Sequence, residues 1–242
     1  MKKSLSFLMA GLVVLLSSCV FKFNVDTIKP SKNIVKKEYR QEAFDKIDVH
    51  AVAHVHLVQS NGDSRVILSA PENYVELFSF KNKDGELDID FAKDKVNIES
   101  KNVHIIVYTP NLRSIENSGV GRITTDSLKA YELEIENSGV GTLQLSGLRV
   151  NKLETECSGV GNIELNGLAA KAKFECSGVG NIKARDLKAR YVKAEVTGVG
   201  GIECYATEYI KGNVAGIGSL KYAGNPGKKH LNHPVTGSIS EL

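Results

Sequence analysis

A four-residue phrase, written six times at nearly constant spacing, constrains this chain more than any other feature. SGVG stands at Ser118, Ser138, Ser158 and Ser177, then becomes TGVG from Thr197 and AGIG from Ala215, at intervals of 20, 20, 19, 20 and 18 residues. A unit of that length cannot bury an apolar face by itself, so copies must stack one coil upon the next to share a core. The copies align throughout. Two residues before the serine position stand Glu116, Glu136, Glu156, Glu175, Glu195 and then Asn213. One residue nearer come Asn117, Asn137, Cys157, Cys176, Val196 and Val214, and three beyond the valine are Ile123, Leu143, Ile163, Ile182, Ile202 and Leu220.

No copy carries the 3.6-residue apolar spacing of a helix. Each reads as strand, tight turn at the glycines, strand, and a second turn near Ser146-Gly147 or Asn166-Gly167. The expected fold is all-β: a right-handed parallel β-helix, its hand given by the crossover rule, with rungs of about 20 residues and Gly-x-Gly corners. The corner glycines are Gly119 and Gly121, Gly139 and Gly141, Gly159 and Gly161, Gly178 and Gly180, Gly198 and Gly200, Gly216 and Gly218. They are expected to supply positive φ and close backbone approach, with the valine between them pointing inward.

The termini read differently. Lys2 and Lys3 precede an apolar run from Leu5 to Leu16, too short to span a bilayer and typical of a secretion signal. It ends in LSSC, which resembles a bacterial lipobox, so residues 1–18 are expected to be removed and Cys19 lipidated. Residues 19–43, polar and basic around Pro30, read as a tether. The remaining 44–242 read as one elongated β domain: irregular N-terminal strands over 44–110, regular repeats over 111–223, and a C-terminal cap over 224–242. Within the first part, period-two alternation runs from Ile47 to Leu57, and Asp84-Gly85 signals a hairpin.

A net charge of +3 without a long basic run gives no reason to expect nucleic acid. Gly-Val-Gly is not a phosphate loop, because strands rather than helix N-termini follow it. No histidine lies between Leu112 and Leu220 and no G-x-S-x-G elbow is present, so the repeated serine reads as a local cap of backbone groups. Cys157, Cys176 and Cys204 are an odd number in the mature body, without zinc-ligand spacing, and read as buried thiols. Asn117 above Asn137 predicts a hydrogen-bonded ladder.

Two sets of side chains are candidates for ligand chemistry. Stacked in register, Glu116, Glu136, Glu156, Glu175 and Glu195, reinforced by Glu134 and Glu154, form either a solvated face or a strip for a divalent cation or cationic ligand. His50, His54 and His56 alternate on one strand with the i, i+2 spacing of metal ligands, though three exposed histidines serve equally as plain polar side chains. The glutamate column carries no aromatic platform and the chain has no tryptophan, unlike a glycan-cleaving groove.

The residues VYTPNLRSIENSGVGRI, the recurring SGVGNI, and the closing LKYAGNP and TGSIS resemble the head GIN domain family, the heads of autotransporter adhesins. The resemblance runs from Phe44 to the C-terminus. It implies a pectin-lyase-like β-helix, without the catalytic residues of pectin lyases. The expectation is a non-enzymatic, lipid-anchored protein of the outer membrane, needing no cofactor and facing the periplasm or the surface. It would present a binding surface to an envelope or host-surface ligand, in adhesion, with a homo-oligomer as one form it could take. The other expectations are a periplasmic binding module for an amphiphilic or polysaccharide ligand and, third, a polysaccharide-acting enzyme.

Overall fold

The computed structural model describes residues 27–232 and 236–242; Cys19 and the signal lie outside the described residues. Among the described residues seventeen strands form one continuous β-solenoid. The chain enters with β1 (Ile34–Arg40), then makes β2 (Lys46–Val49), β3 (Val52–Gln59) and β4 (Arg65–Pro71). β5 (Phe78–Lys83) and β6 (Glu86–Phe91) follow, then β7 (His104–Thr109), β8 (Ser114–Asn117) and β9 (Val120–Thr125). The long strands β10 (Leu128–Asn137), β11 (Val140–Cys157), β12 (Val160–Cys176), β13 (Val179–Val196) and β14 (Gly201–Val214) each bend around the coil. β15 (Ser219–Ala223), β16 (Lys228–Asn232) and β17 (Ser238–Glu241) complete it.

Three faces result. The first holds the segments that lead into the repeated phrase, with Glu134↔Glu154, Glu154↔Lys173 and Lys173↔Lys193 as register partners. The second holds the segments that leave it, pairing Ile123, Leu143, Ile163, Ile182, Ile202 and Leu220 in succession. A short third face runs through Ala130, Val150 and Ala169, reached by the turns at Gly147 and Gly167, whose φ values are 59° and 130°. The isoleucine and leucine column of the second face is fully buried, and each member contributes roughly 1.5–3 kcal/mol by leaving water.

The N-terminal region is more regular than its sequence suggests. β2 lies between β6 and β8, and β3 between β7 and β9, all parallel. Strands β6 and β7 are therefore a rung beneath β2 and β3, although they come later in the chain. The hairpin at Asp84-Gly85 forms between antiparallel β5 and β6, with φ of 54° and 80° at the two turn residues. Antiparallel β4 covers β7, and β1 covers β4. Ile34–Arg40, expected as tether, is thus a strand, because its alternation sets Val35 and Tyr39 against the core. At the other end β16 and β17 add one more parallel rung where a cap was expected.

The corner valines correct the reading of the repeat. Val120, Val140, Val160, Val179, Val199 and Ile217 point outward and are 47–75% exposed. Their flanking glycines are required by the stack. A Cβ built on either glycine of any copy would lie within 3.0 Å of a backbone carbonyl oxygen of the preceding rung. Of these twelve glycines only Gly121 and Gly161 have φ in the positive region, at 151° and 152°. Close approach, more than left-handed backbone, selects glycine here. The approach is held by hydrogen bonds: Ser138 and Gly139 N–H both donate to the Asn117 carbonyl, at 3.0 and 2.9 Å, and Val140 N–H donates to the Gly119 carbonyl at 2.9 Å.

Candidate functional site

The first face and its corner carry the side chains with chemical potential. Strand pairing stacks Glu116, Glu136, Glu156, Glu175 and Glu195 in register, and extends the column downward through Asp48 to Asp88 and upward to Asn213 and Asn232. Neighbours are a strand spacing apart, about 4.8 Å, where two carboxylates repel by roughly 1 kcal/mol in water. Partial burial raises the Glu136 carboxyl above the ordinary glutamate value, and Glu116, Glu156 and Glu134 add to it. Burial followed by Asp48 raises Glu116, and burial likewise raises Asp48 and Asp88 against the pull of His50. Lysines relieve other positions. Lys152 binds Glu154 at 2.8 Å and holds its carboxyl below the usual range, while Lys173 binds Glu175 at 2.8 Å. Among the described residues no group of three His, Cys, Asp or Glu side chains is arranged to hold a metal ion.

The three strand histidines go separate ways. His54 stacks on His104 with ring centroids 5.7 Å apart, and His56 Nδ1 meets Thr124 Oγ1 at 2.9 Å. His50 sits at the corner, with Nε2 2.8 Å from Asp48 Oδ2 and Nδ1 2.5 Å from Ser118 Oγ. The Ser118 hydroxyl thus engages a side chain, where a backbone cap was expected. The Asp–His–Ser chain has the composition of a hydrolytic triad but lacks the surrounding machinery. The Ser118 and Gly119 N–H groups, which an oxyanion would need, are both spent on the Val49 carbonyl at 3.1 and 2.9 Å.

Beneath this surface the column of Asn117, Asn137, Cys157, Cys176, Val196 and Val214 is buried, as alternation requires. Asn117 Nδ2 donates to Asn137 Oδ1 at 2.7 Å. Cys157, Cys176 and Cys204 are free thiols. Burial pushes Cys204 up to about 12; the adjacent Cys176 sulfur and burial push Cys157 up as well.

A second feature of the same face was legible from sequence in its lysines and missed in its aromatic pair. In the column beside the acidic one, Lys173, Lys193, Lys211 and His230 follow Glu134 and Glu154. In the next column Lys171, Tyr191, Tyr209 and Lys228 are register partners. A groove of about 340 Å³ runs between these columns, with Tyr191, Tyr209, Lys171 and Lys193 on its walls and the Lys152–Glu154 ion pair at its lower end. The tyrosines supply the aromatic pair that the glutamate column lacks. They stand too far from the repeated phrase to be noticed without the rung register.

The sequence model of the family described as "Putative auto-transporter adhesin, head GIN domain" matches residues 43–226. The chain belongs to this family. The GIN-domain fold here is similar to the crystal structure of a putative adhesin from Bacteroides fragilis NCTC 9343, at 36% identity and TM-score 0.85, covering 89% of this chain and all of that one. A putative adhesin from Parabacteroides merdae has 22% identity and TM-score 0.67, with 90% and 99% covered. A putative lipid binding protein from Parabacteroides distasonis has 22% identity and TM-score 0.70, with 90% and 100% covered. At those lower identities the likeness is one of fold. No curated protein matches the chain. Among the described residues no helix is long and apolar enough to cross a membrane.

Proposed function

We propose that this GIN domain is a non-enzymatic binding head, held to the cell envelope by a lipid on Cys19, and that it acts in adhesion through the first face and its corner. The observation that carries the reading is the outward ladder of Val120, Val140, Val160, Val179, Val199 and Ile217. These side chains lie outside the buried core, so burial does not account for an apolar residue at the position. Contiguous exposed apolar surface on an otherwise polar protein marks a contact with a partner. The repeat keeps them in line at one residue per rung, which makes a straight apolar ridge beside a charged face. Membership of an adhesin family and the likeness to the Bacteroides protein support the reading.

The test is adherence of cells displaying the full-length lipoprotein. A Val140→Ser/Val160→Ser/Val179→Ser variant should fold normally and reduce adherence severalfold. Undiminished adherence would remove the ridge from the mechanism. The alternative, a periplasmic module for an amphiphilic or polysaccharide ligand, draws on the groove lined by Tyr191 and Tyr209. Protease shaving of intact cells separates the two: cleavage of the domain supports a surface head, and full protection supports the periplasmic module.

A further inference from the structure

Charge is segregated along the solenoid. Residues 86–165 hold thirteen acidic and eight basic side chains, whereas residues 166–232 hold five acidic and eleven basic. The average near neutrality of the chain therefore hides an acidic lower half and a basic upper half. On the first face the inversion is sharp. The column that reads Glu134, Glu154 becomes Lys173, Lys193, Lys211, His230, while the acidic column ends as Glu195 gives way to Asn213 and Asn232. Among the described residues no carboxylate lies within 4.0 Å of the Lys171, Lys193 or Lys211 amines. Those charges are open to a ligand.

We propose that this upper groove binds a linear anionic polysaccharide, laid along the stack with its acidic groups on the lysine column and its sugar rings on Tyr191 and Tyr209. The inference rests on the reading of the solenoid as a binding surface and names the ligand class. Three features select it. The cations stand one per rung about 4.8 Å apart, which suits a polymer with a regular charge repeat better than a single compact anion. The tyrosines are register partners in the adjoining column, so two aromatic side chains stand on successive rungs beside the row of charges. Such rings offer apolar contact to the C–H faces of pyranoses, while their hydroxyls are engaged within the protein, Tyr209 with His230 Nδ1 at 3.1 Å and Tyr191 with Glu208. The basic surface also continues around the turn onto the third face, where Arg149, Lys188 and Arg190 border a second groove of about 560 Å³. A polymer longer than the first groove would find cations beyond it.

An anionic bilayer fits the same surface less well. Glu175 and Glu195 stand between the lysine column and the valine ridge. A membrane that engaged both would press its phosphates onto that carboxylate row.

The experiment measures binding of the purified folded domain by calorimetry, with polygalacturonate and heparin as the acidic polymers and dextran as the neutral one. Phosphatidylglycerol vesicles are a separate arm. The expected result is binding to the acidic polymers, weakened by salt, and none to dextran. Lys173→Glu/Lys193→Glu/Lys211→Glu should weaken it at least tenfold, and Tyr191→Ala/Tyr209→Ala severalfold even at high salt. A Lys93→Glu/Lys101→Glu control, on basic residues far from the groove in sequence, should bind like the wild type. Equal affinity for dextran, wild-type affinity in the triple lysine variant, or no binding to either acidic polymer overturns the proposal. Tighter binding to vesicles than to polymers, lost in the same lysine variant, overturns it in favour of a membrane. If no acidic polymer binds while displayed protein still mediates adherence, the ligand class falls and the adhesive reading stands.

Discussion

Asn117 donates its side-chain amide to the carboxamide oxygen of Asn137, one rung away, inside a column whose other members are cysteine and valine. The Asn137 Nδ2 is buried and has no hydrogen-bond partner among the described residues. The pair is therefore only partly satisfied. Asn117→Val should cost about 1–3 kcal/mol, because it orphans Asn137 entirely. Asn117→Val/Asn137→Val should be closer to wild type than that single variant, since valine already fills the column at Val196 and Val214. Urea unfolding of the variants checks this; a double variant much weaker than the single one would show that the ladder itself is required.

The corner glycines should be far less replaceable than the valines they flank. Gly141→Ala and Gly161→Ala place a Cβ against a backbone carbonyl of the rung below and should cost about 3 kcal/mol, the upper part of the overpacking range. Val160→Ser, on an exposed side chain, should stay within about 0.5 kcal/mol. Paired denaturation curves give the comparison, and similar losses at the two positions would refute the steric account.

The thiols of Cys157, Cys176 and Cys204 should be silent. All three are buried, and the raised values of Cys157 and Cys204 leave them protonated at neutral pH. Alkylation of the native protein followed by mass measurement should find them unmodified, and denaturation should expose all three. Fast labelling of Cys157 in the folded state would contradict its placement inside.

The acidic column predicts a dependence of stability on pH. The carboxyls of Asp48, Asp88, Glu116 and Glu136 are raised on folding, so protonation favours the native state. Their stabilising contribution is fully present below the unfolded carboxylate values and is lost as pH rises through the raised folded values. Glu154, held low by Lys152, acts in the opposite sense. His54, held low by burial and by His104, and Glu208 and Glu241, held low by Arg190 and Lys229, also act in that opposite sense. The column is therefore read from a variant difference, in which Glu136→Gln should be more stable than the wild type at pH 7 and lose that advantage toward pH 5. Calcium and sodium at equal ionic strength should act alike, as screening agents. A calcium-specific stabilisation lost in Glu136→Gln/Glu156→Gln would instead establish a cation strip.

How far the sequence could be read depended on which residues repeat. The glutamate and asparagine columns were legible because each lies at a fixed distance from the SGVG phrase. Asp48 and Asp88 belong to the same acidic column, yet their rungs lack the phrase and nothing local marks them. Val120 was misplaced for a physical reason. Between two glycines that must each press against the rung below, the chain leaves the period-two alternation of the strand, and an apolar residue there points out. His50 and Ser118 are 68 residues apart in the chain and meet only because β2 packs against β8. Tyr191 and Tyr209 become a pair only once β13 and β14 are aligned, across register shifts that a fixed repeat length does not anticipate.

The insertion of β2 and β3 between strands made later has a consequence for how such a molecule is synthesised and diversified. The first coil to leave the ribosome has one edge open until residues up to 109 have emerged and the other until residue 125, for its partners are β6 and β7 on one side and β8 and β9 on the other. A growing chain therefore cannot wind this end turn by turn, and the interleaved start acts as a closed knot of pairing that must be completed as a unit. Once it is complete, every later coil has a finished template to zip onto. A coil could be added or removed without breaking this interleaving only after β9, where order along the chain and order in space coincide. Length of the ridge and of the charged columns can then vary without disturbing the end that starts the fold.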